Sequence, residues 1–333
     1  MKRGARHLMN QGYAKAKTLR FREDGTFKIV QFTDPEFYED SEAERAMEAM
    51  MLSILEAERP DLVVYTGDVI ASAGHPDPAG AFRRACEIPE RAGTPWAAVF
   101  GNHDSEGTIT REQLHALQLT YPLNYAKPNP PGVHGAGNYV LSVAGSDGSA
   151  AAALYFLDSG SYSPLEYSRM GFYDWIRRDQ IEWYAQQSYR LTDDNGGVPL
   201  PALAFFHIPL PEYNDVWDFE VCYGERYEVI CAPWINSGMF AAMIEMGDVT
   251  GTFAGHDHGN DYWGEWRGIR LCYGRTTRNA YLDRPFMPGA RVISLREGER
   301  SFDTWIRLAD GSAVAEQPRH EPTGRLPSQV LRK

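Results

Sequence analysis

A chain of 333 residues is long enough for one large α/β domain or two small ones, and a core of that size needs no disulfides. Its formal net charge of −12 argues against a general nucleic-acid binder, which presents a basic face to phosphates. The basic N-terminus MKRGARHLMNQGYAKAKTLRF lacks the apolar stretch of a secretory leader, and no run approaches the roughly 20 apolar residues of a spanning helix. The expectation is a cytoplasmic protein with neither nucleic acid nor membrane as partner. Cys86, Cys222, Cys231 and Cys272 form no CxxC pair and read as free thiols; only Cys222 and Cys231 are close enough in sequence to bridge in an oxidising compartment.

In chain order, residues 1–20 read as an N-terminal extension and 21–310 as the folded domain. The β-branched run 27–33 precedes a segment, 42–58, that places Met47, Met51, Ile54 and Leu55 at helical spacing. Residues 61–66 form a buried strand, 79–92 a helix and 96–100 a third strand, an alternation that indicates an α/β sheet with helices packed on it. A helix near 110–119 leads into a Pro/Gly-rich loop, and strands at NYVLSVAG and AALYFLDSG follow. An amphipathic helix around 174–190 turns Trp175, Ile176, Ile181 and Tyr184 inward. After the strand ALAFF comes an irregular insertion of nearly thirty residues, expected to cover a site. The C-terminal third reads as a meander of short strands forming a second, largely antiparallel sheet. From 311 onward the polar, aperiodic chain reads as a frayed tail.

Five of the strands end in groups that bind metals: FKIVQFTD at Asp34, DLVVYTGD at Asp68, WAAVFGNHD at Asn102 and His103, PALAFFH at His207, and VTGTFAGHDH at His256 and His258. In open α/β sheets, residues that follow strands converge beyond the carboxyl ends, however far apart they are in sequence. One strand-terminal Asp is usually a turn former, but five such coincidences describe a metal site. Asp68 is the natural bridging carboxylate, Asn102 supplies a neutral oxygen, and His103 is left to face a substrate.

These motifs resemble the calcineurin-like metallophosphoesterases, whose ordered signature is D-x-H, G-D, G-N-H-D/E, H and G-H-x-H. They are matched here as Asp34-Pro35-Glu36, Gly67-Asp68, Gly101-Asn102-His103-Asp104, His207 and Gly255-His256-Asp257-His258. FFHIPLPEY, INSG and GHDHGNDYWG look closest to the small branch related to purple acid phosphatases. The resemblance implies a four-layer α-β-β-α sandwich of two mixed sheets with flanking helices. It further implies two divalent or trivalent metal ions drawn from Mn, Fe and Zn. One would be held by Asp34, Asp68 and His258 with Glu36 as a further ligand, and the other by Asp68, Asn102, His207 and His256. His103 would contact the phosphoryl group or protonate the leaving group, with Asp104 orienting its ring.

Two departures stand out. Glu36 occupies a histidine position, where its oxygen shifts preference toward harder ions such as Mn(II) or, turned away, leaves the first site weak. Ala71 replaces the metal-bound tyrosine of the purple enzymes, so no charge-transfer colour is expected. Arg275, Arg278 and Tyr213 are candidates for gripping substrate. Glu212 and Asn236 either line the pocket or hold the insertion, Tyr262, Trp263 and Trp266 pack between strands, and His75, His115 and His134 read as ordinary surface histidines.

The expected activity is hydrolysis of a small phosphomonoester by hydroxide bridging two cations about 3.5 to 4 Å apart. A phosphodiesterase on the same centre and a non-catalytic metal- or phosphate-binding protein weakened at Glu36 are the alternatives.

Overall fold

The computed structural model describes residues 18–279 and 285–322. Of the sequence expectations, the extension at 1–17 and the tail at 323–333 lie outside these residues. In chain order the first elements are β1 (Leu19–Arg20), β2 (Thr26–Phe32), α1 (Glu42–Glu58), β3 (Leu62–Thr66), α2 (Pro78–Arg91), β4 (Trp96–Val99) and α3 (Arg111–Gln118). The middle contributes β5 (Tyr139–Ala144), β6 (Ala150–Phe156), α4 (Arg178–Asp194), β7 (Ala202–Phe205), α5 (Glu212–Phe219), β8 (Cys222–Tyr223) and α6 (Met239–Met246). The rest is strand: β9 (Val249–Ala254), β10 (Trp263–Trp266), β11 (Ile269–Tyr273), β12 (Gly289–Arg296), β13 (Phe302–Leu308), β14 (Ala313–Val314) and β15 (Arg319–His320).

Local chemistry sets the helix bounds. Ser41 caps α1 by accepting the Glu44 amide, and Arg59 closes it in the left-handed conformation. Asp77 caps α2 ahead of Pro78, and Thr110 and Gln113 form a reciprocal capping box on α3.

The strands form a six-stranded sheet, β14-β13-β12-β2-β3-β4, and a nine-stranded sheet, β1-β5-β6-β7-β9-β11-β10-β8-β15, each with parallel and antiparallel pairs. Side-chain alternation along the strands builds three cores. Phe27, Ile29, Leu62 and Val64 meet Leu203, Phe205 and Phe253 between the sheets. Their strand neighbours Val30, Phe32, Val63 and Tyr65 face outward onto Met47, Met51 and Phe82 of α1 and α2. On the far side Ala202, Ala204 and Phe206 pack with Tyr184, Phe240 and Met243 from α4 and α6. The result is the four-layer α-β-β-α sandwich. No helix among the described residues is long and apolar enough to cross a membrane.

Four expectations change. The C-terminal strands do not form a sheet of their own: β9, β10 and β11 join β7 in the larger sheet, while β12 returns to pair antiparallel with β2 in the smaller one. Alternation identifies a strand but not its partner. The extension is trimmed by β1, which pairs parallel with β5. The insertion is not wholly irregular, since it carries α5 and β8. Residues 311–322 are not frayed: β14 pairs with β13, β15 pairs with β8, and the His320 ring stacks on Trp217 at 3.7 Å with its Nε2 2.9 Å from the Trp217 carbonyl oxygen.

A docked His320 makes a stability prediction that a frayed one does not. His320→Ala is expected to cost about 1 to 2 kcal/mol, the sum of one aromatic stack and one hydrogen bond, measured by urea unfolding. An unchanged midpoint would mean that the strand adds nothing to the fold.

Candidate metal centre

Asp34, Asp68 and Asn102 follow β2, β3 and β4 of the smaller sheet, whereas His207 and His256 follow β7 and β9 of the larger one. The site therefore straddles the seam between the sheets. His207 Nδ1–H donates across it to the Thr66 carbonyl at 2.8 Å, and the His256 amide donates to both oxygens of Asp34 at 3.1 Å. The buried Gln31 amide adds a third tie, donating to Thr66 Oγ1 at 2.8 Å and the Ala254 carbonyl at 3.1 Å.

To aim these side chains, the backbone accepts unfavourable conformations. Of the six non-glycine residues with positive φ among the described residues, four are at the centre: Asp34, Glu36, Asp68 and His256. Each costs on the order of 1 to 3 kcal/mol and persists only where the surroundings enforce it. The glycines that precede the ligands Asn102 and His256 have no room for more than hydrogen. A Cβ on Gly101 would lie 2.2 Å from Asp68 Oδ1, and one on Gly255 would lie 1.9 Å from Thr33 Oγ1.

The donor atoms converge. His207 Nε2 lies 3.0 Å from Asp68 Oδ2 and 3.2 Å from His256 Nδ1, and Asp68, His207 and His256 each place a ligand atom within 4.8 Å of the others. Glu36, Asp68 and His103 form a second such group. His258 Nε2 stands 3.1 Å from Glu36 Oε1 and 3.6 Å from Asp34 Oδ1. Asn102 Oδ1 and His256 Nε2 are buried with no hydrogen-bond partner, and Asp68 Oδ2 meets only the His207 imidazole. Buried polar atoms are ordinarily satisfied, so oxygen and nitrogen lone pairs left over at one point fit a divalent cation.

Electrostatics agree. Burial would raise the Asp68 carboxyl, but the imidazoles of His207, His103 and His256 hold it well below the usual range. Burial works against charge on His207, yet Asp68 outweighs it and lifts the imidazole to about 9. Burial, reinforced by His207, pushes His256 down to about 3.

Beside this cluster, the His103 amide donates to Asp68 Oδ1 at 2.7 Å, and the half-exposed ring, 38% accessible, pairs through Nδ1 with Glu106 Oε2 at 2.7 Å. Glu106 also accepts from the Tyr162 hydroxyl, which in turn accepts from Asn102 Nδ2 at 3.1 Å. The buried Arg111 binds the Gly101 and Phe100 carbonyls at 2.6 and 2.8 Å and is paired with Asp158, fixing the loop that carries Asn102 and His103.

Comparison with known proteins identifies this arrangement. The family description "Calcineurin-like phosphoesterase" matches residues 27–260. The chain belongs to that family. The protein named "Probable inactive purple acid phosphatase 29" of Arabidopsis thaliana is 35% identical, covering 89% of this chain and 86% of the relative. "Phosphatase DCR2" of Saccharomyces cerevisiae is 32% identical over 88% of this chain, which spans 55% of that protein. A dimetal phosphatase from Danio rerio shares the fold with a TM-score of 0.54 at 15% identity, covering 87% of this chain and 99% of that one. Members of the family use divalent metals, which the donor set suits.

Within the family frame, several sequence expectations need correcting. Asp104 does not orient His103: its buried carboxylate accepts the Gly101 and Ile70 amides at 2.7 and 2.9 Å, and burial raises it to about 7. Glu106 takes that place, three residues on, where a helical turn brings it under the ring. Tyr213 is fully buried, its hydroxyl 2.9 Å from Thr252 Oγ1 and 3.1 Å from the Cys272 carbonyl oxygen, so it does not reach substrate. Arg275 is committed to Asp261 at 2.7 Å. Arg278 does reach the centre, but pairs with Glu36. A groove of about 1030 Å³ opens along these two residues and α1. Glu212 and Asn236 bond each other at 2.6 Å, and His75 and His115 are buried structural residues rather than surface ones. All four cysteines are free.

Two outcomes follow. Tyr213→Phe is expected to cost about 1 to 2 kcal/mol of stability from the stranded Thr252 and Cys272 partners, seen in denaturant unfolding, with no change in ligand affinity. Because the ion-free His207 carries a proton at pH 7 and a ligating imidazole must be neutral, cation uptake is expected to release at least about one proton per chain, from His207, with the likewise raised His258 adding to it. Titration calorimetry in two buffers of different ionisation enthalpy measures that number.

Proposed function

We propose that the protein is a metal-dependent phosphomonoesterase with two cations, and the observation that carries this reading is the convergence of buried ligand atoms on Asp68, His207 and His256 beside the unpartnered Asn102 Oδ1 and His256 Nε2. Asp34, Asp68, His258 and Glu36 hold one ion; Asp68, Asn102, His207 and His256 hold the other. Bound divalent ions supply charge neutralisation at a phosphoryl group and a water acidic enough to attack it near neutral pH. Nitrogen and oxygen ligands suit Mn, Fe or Zn, and Glu36 in place of an imidazole favours the harder ions. The name of the yeast relative, a phosphatase, supports the same reading.

The chain's own residues complete the chemistry. Glu106 engages His103 Nδ1, leaving Nε2 to face a substrate. Burial lowers the His103 pKa, but Asp68 and Glu106 more than offset it, which favours the protonated ring that can give a proton to the leaving oxygen. Tyr162 ties Glu106 to the Asn102 side chain, coupling the acid's position to the metal shell.

Removing the acid, His103→Ala, is expected to lower kcat about 10²- to 10⁴-fold with metal content unchanged, followed with a phosphomonoester panel and elemental analysis. Glu106→Gln removes a charge that raises the His103 pKa. The alkaline limb of its rate profile therefore moves to lower pH, and a limb that stays in place would exclude Glu106 from this role.

A second reading rests on the Arg278–Glu36 pair. A guanidinium already neutralising Glu36 weakens the first cation's hold, which accords with the "probable inactive" names of the plant relatives. It yields one ion per chain and no turnover with Mn, Fe, Zn or Co. Two ions with turnover support the enzyme, and gain of activity in Glu36→His would locate the weakness.

A further inference from the structure

Twelve large hydrophobic side chains are exposed among the described residues, and six of them, Leu165, Tyr167, Met170, Phe172, Val229 and Trp234, fall in two short segments. The segments touch: a Cβ on Gly171 would lie 3.1 Å from Trp234. Contiguous exposed apolar surface of this kind marks a binding site more often than chance exposure.

The patch continues inward to the metal centre without a break. Phe172, 67% exposed, lies 5.2 Å from the Tyr162 ring and 5.1 Å from Tyr173, and Tyr173 meets His256 edge-on at 4.4 Å. These spacings fall in the range of favourable ring contacts. The wall is held by its own hairpin: Tyr162 bridges Tyr173, the Ser163 amide donates to the Phe172 carbonyl at 2.9 Å, and Ser163 Oγ donates to the Tyr173 carbonyl at 2.8 Å. Its position relative to the acid is set by Glu106, which binds both His103 and Tyr162. An alcohol leaving from the His103 side therefore departs along the rings. The groove beside Glu36 and Arg278 does not include His103.

The polar group of the wall nearest His103 is already used, because the Tyr162 hydroxyl is shared between Glu106 and Asn102. Next to His103 a sugar or polyol would find ring faces and a hydroxyl already taken; a planar aromatic alcohol would find partners of its own kind. We infer that the substrates are aryl phosphate monoesters, in which the phosphate is joined directly to an aromatic ring. The ring belongs either to a small molecule or to a phosphorylated tyrosine of a peptide. This rests on the phosphomonoesterase reading above. In the reaction, oxygen from water bonds to phosphorus as the water gives up a proton, the bond from phosphorus to the aryl oxygen breaks with its electron pair on that oxygen, the His103 proton completes the phenol, and a proton from solvent, equal to the one the water lost, restores His103.

The test compares phenyl phosphate, a tyrosine-phosphorylated peptide and glycerol phosphate, together with calorimetric binding of benzylphosphonate and methylphosphonate to the metal-loaded protein. The expected result is a kcat/KM preference for the aryl esters, tighter binding of benzylphosphonate, and a three- to tenfold loss of both in Phe172→Ala. Tyr189→Ala, on an exposed face of α4, should leave them as they are. Whichever aryl ester is preferred names the source. If no ester is hydrolysed but the benzyl preference and its loss remain, the activity is wrong and the aromatic subsite stands. Equal binding of the two phosphonates, or an aryl preference indifferent to Phe172→Ala, overturns the inference. So does phosphatidylcholine vesicle binding that Phe172→Ala abolishes while the aryl preference is untouched, which would make the patch a membrane surface.

Discussion

The hydrogen bond from His207 Nδ1 to the Thr66 carbonyl is the constraint on which the centre depends. It joins the carboxyl edge of one sheet to that of the other and, by occupying Nδ1 as a donor, makes Nε2 the atom that faces Asp68 and His256 and that becomes the ring's lone pair once the imidazole is neutral. One contact thus fixes both the relative position of the two sheets and the tautomer of a ligand. The Asp34 clasp on the His256 amide and the Gln31 bridge act in the same place, which is why four residues there can be held in the left-handed region.

Charge is the second organising fact. Asp34 and Asp68 are fully buried within a few ångströms of each other's ligand partners, and Glu36 adds a third carboxylate nearby. Such a concentration of negative charge cannot stay uncompensated in a low-dielectric interior. The protein answers in part with its own cations, the raised imidazoles of His207 and His258 and the guanidinium of Arg278. A metal ion and these protonated groups compete for the same carboxylates, so the ion's affinity is tied to pH and to Arg278.

Much of this was legible in the sequence, because ligands that directly follow strands are carried to the same edge by the sheet's parallel order. Asp34, Asp68, Asn102, His207 and His256 needed only that rule. What escaped depended on contacts between distant segments. Glu106 was hidden by the expectation that the residue adjacent to His103 would orient it, although the offset of three is itself a helical signal. Tyr162 and Tyr173 sit in a hairpin whose sequence carries no motif. Tyr213, in the long insertion, and Arg275, in the loop after β11, looked like substrate residues because a polar side chain outside a periodic element gives no hint of whether it points outward or into the core. The return of β12 to β2 and the docking of β15 were beyond alternation patterns, which say which residues face inward but not which strand they lie beside.

The topology also sets an order in time. β2, β3 and β4 are neighbours in sequence and pair in parallel, so the first third of the chain is sufficient to gather Asp34, Asp68 and Asn102. The free flank of β2 is closed only by β12, more than 250 residues after it, and the two histidines from the larger sheet arrive between these events. During synthesis Asp34, Asp68 and Asn102 are therefore in place with His103 before His207 and His256 of the larger sheet are made. Long-range pairing of this kind is slow to form. The donor set is complete only when the seam between the sheets closes, so any preference among ions belongs to the finished fold and not to its first third.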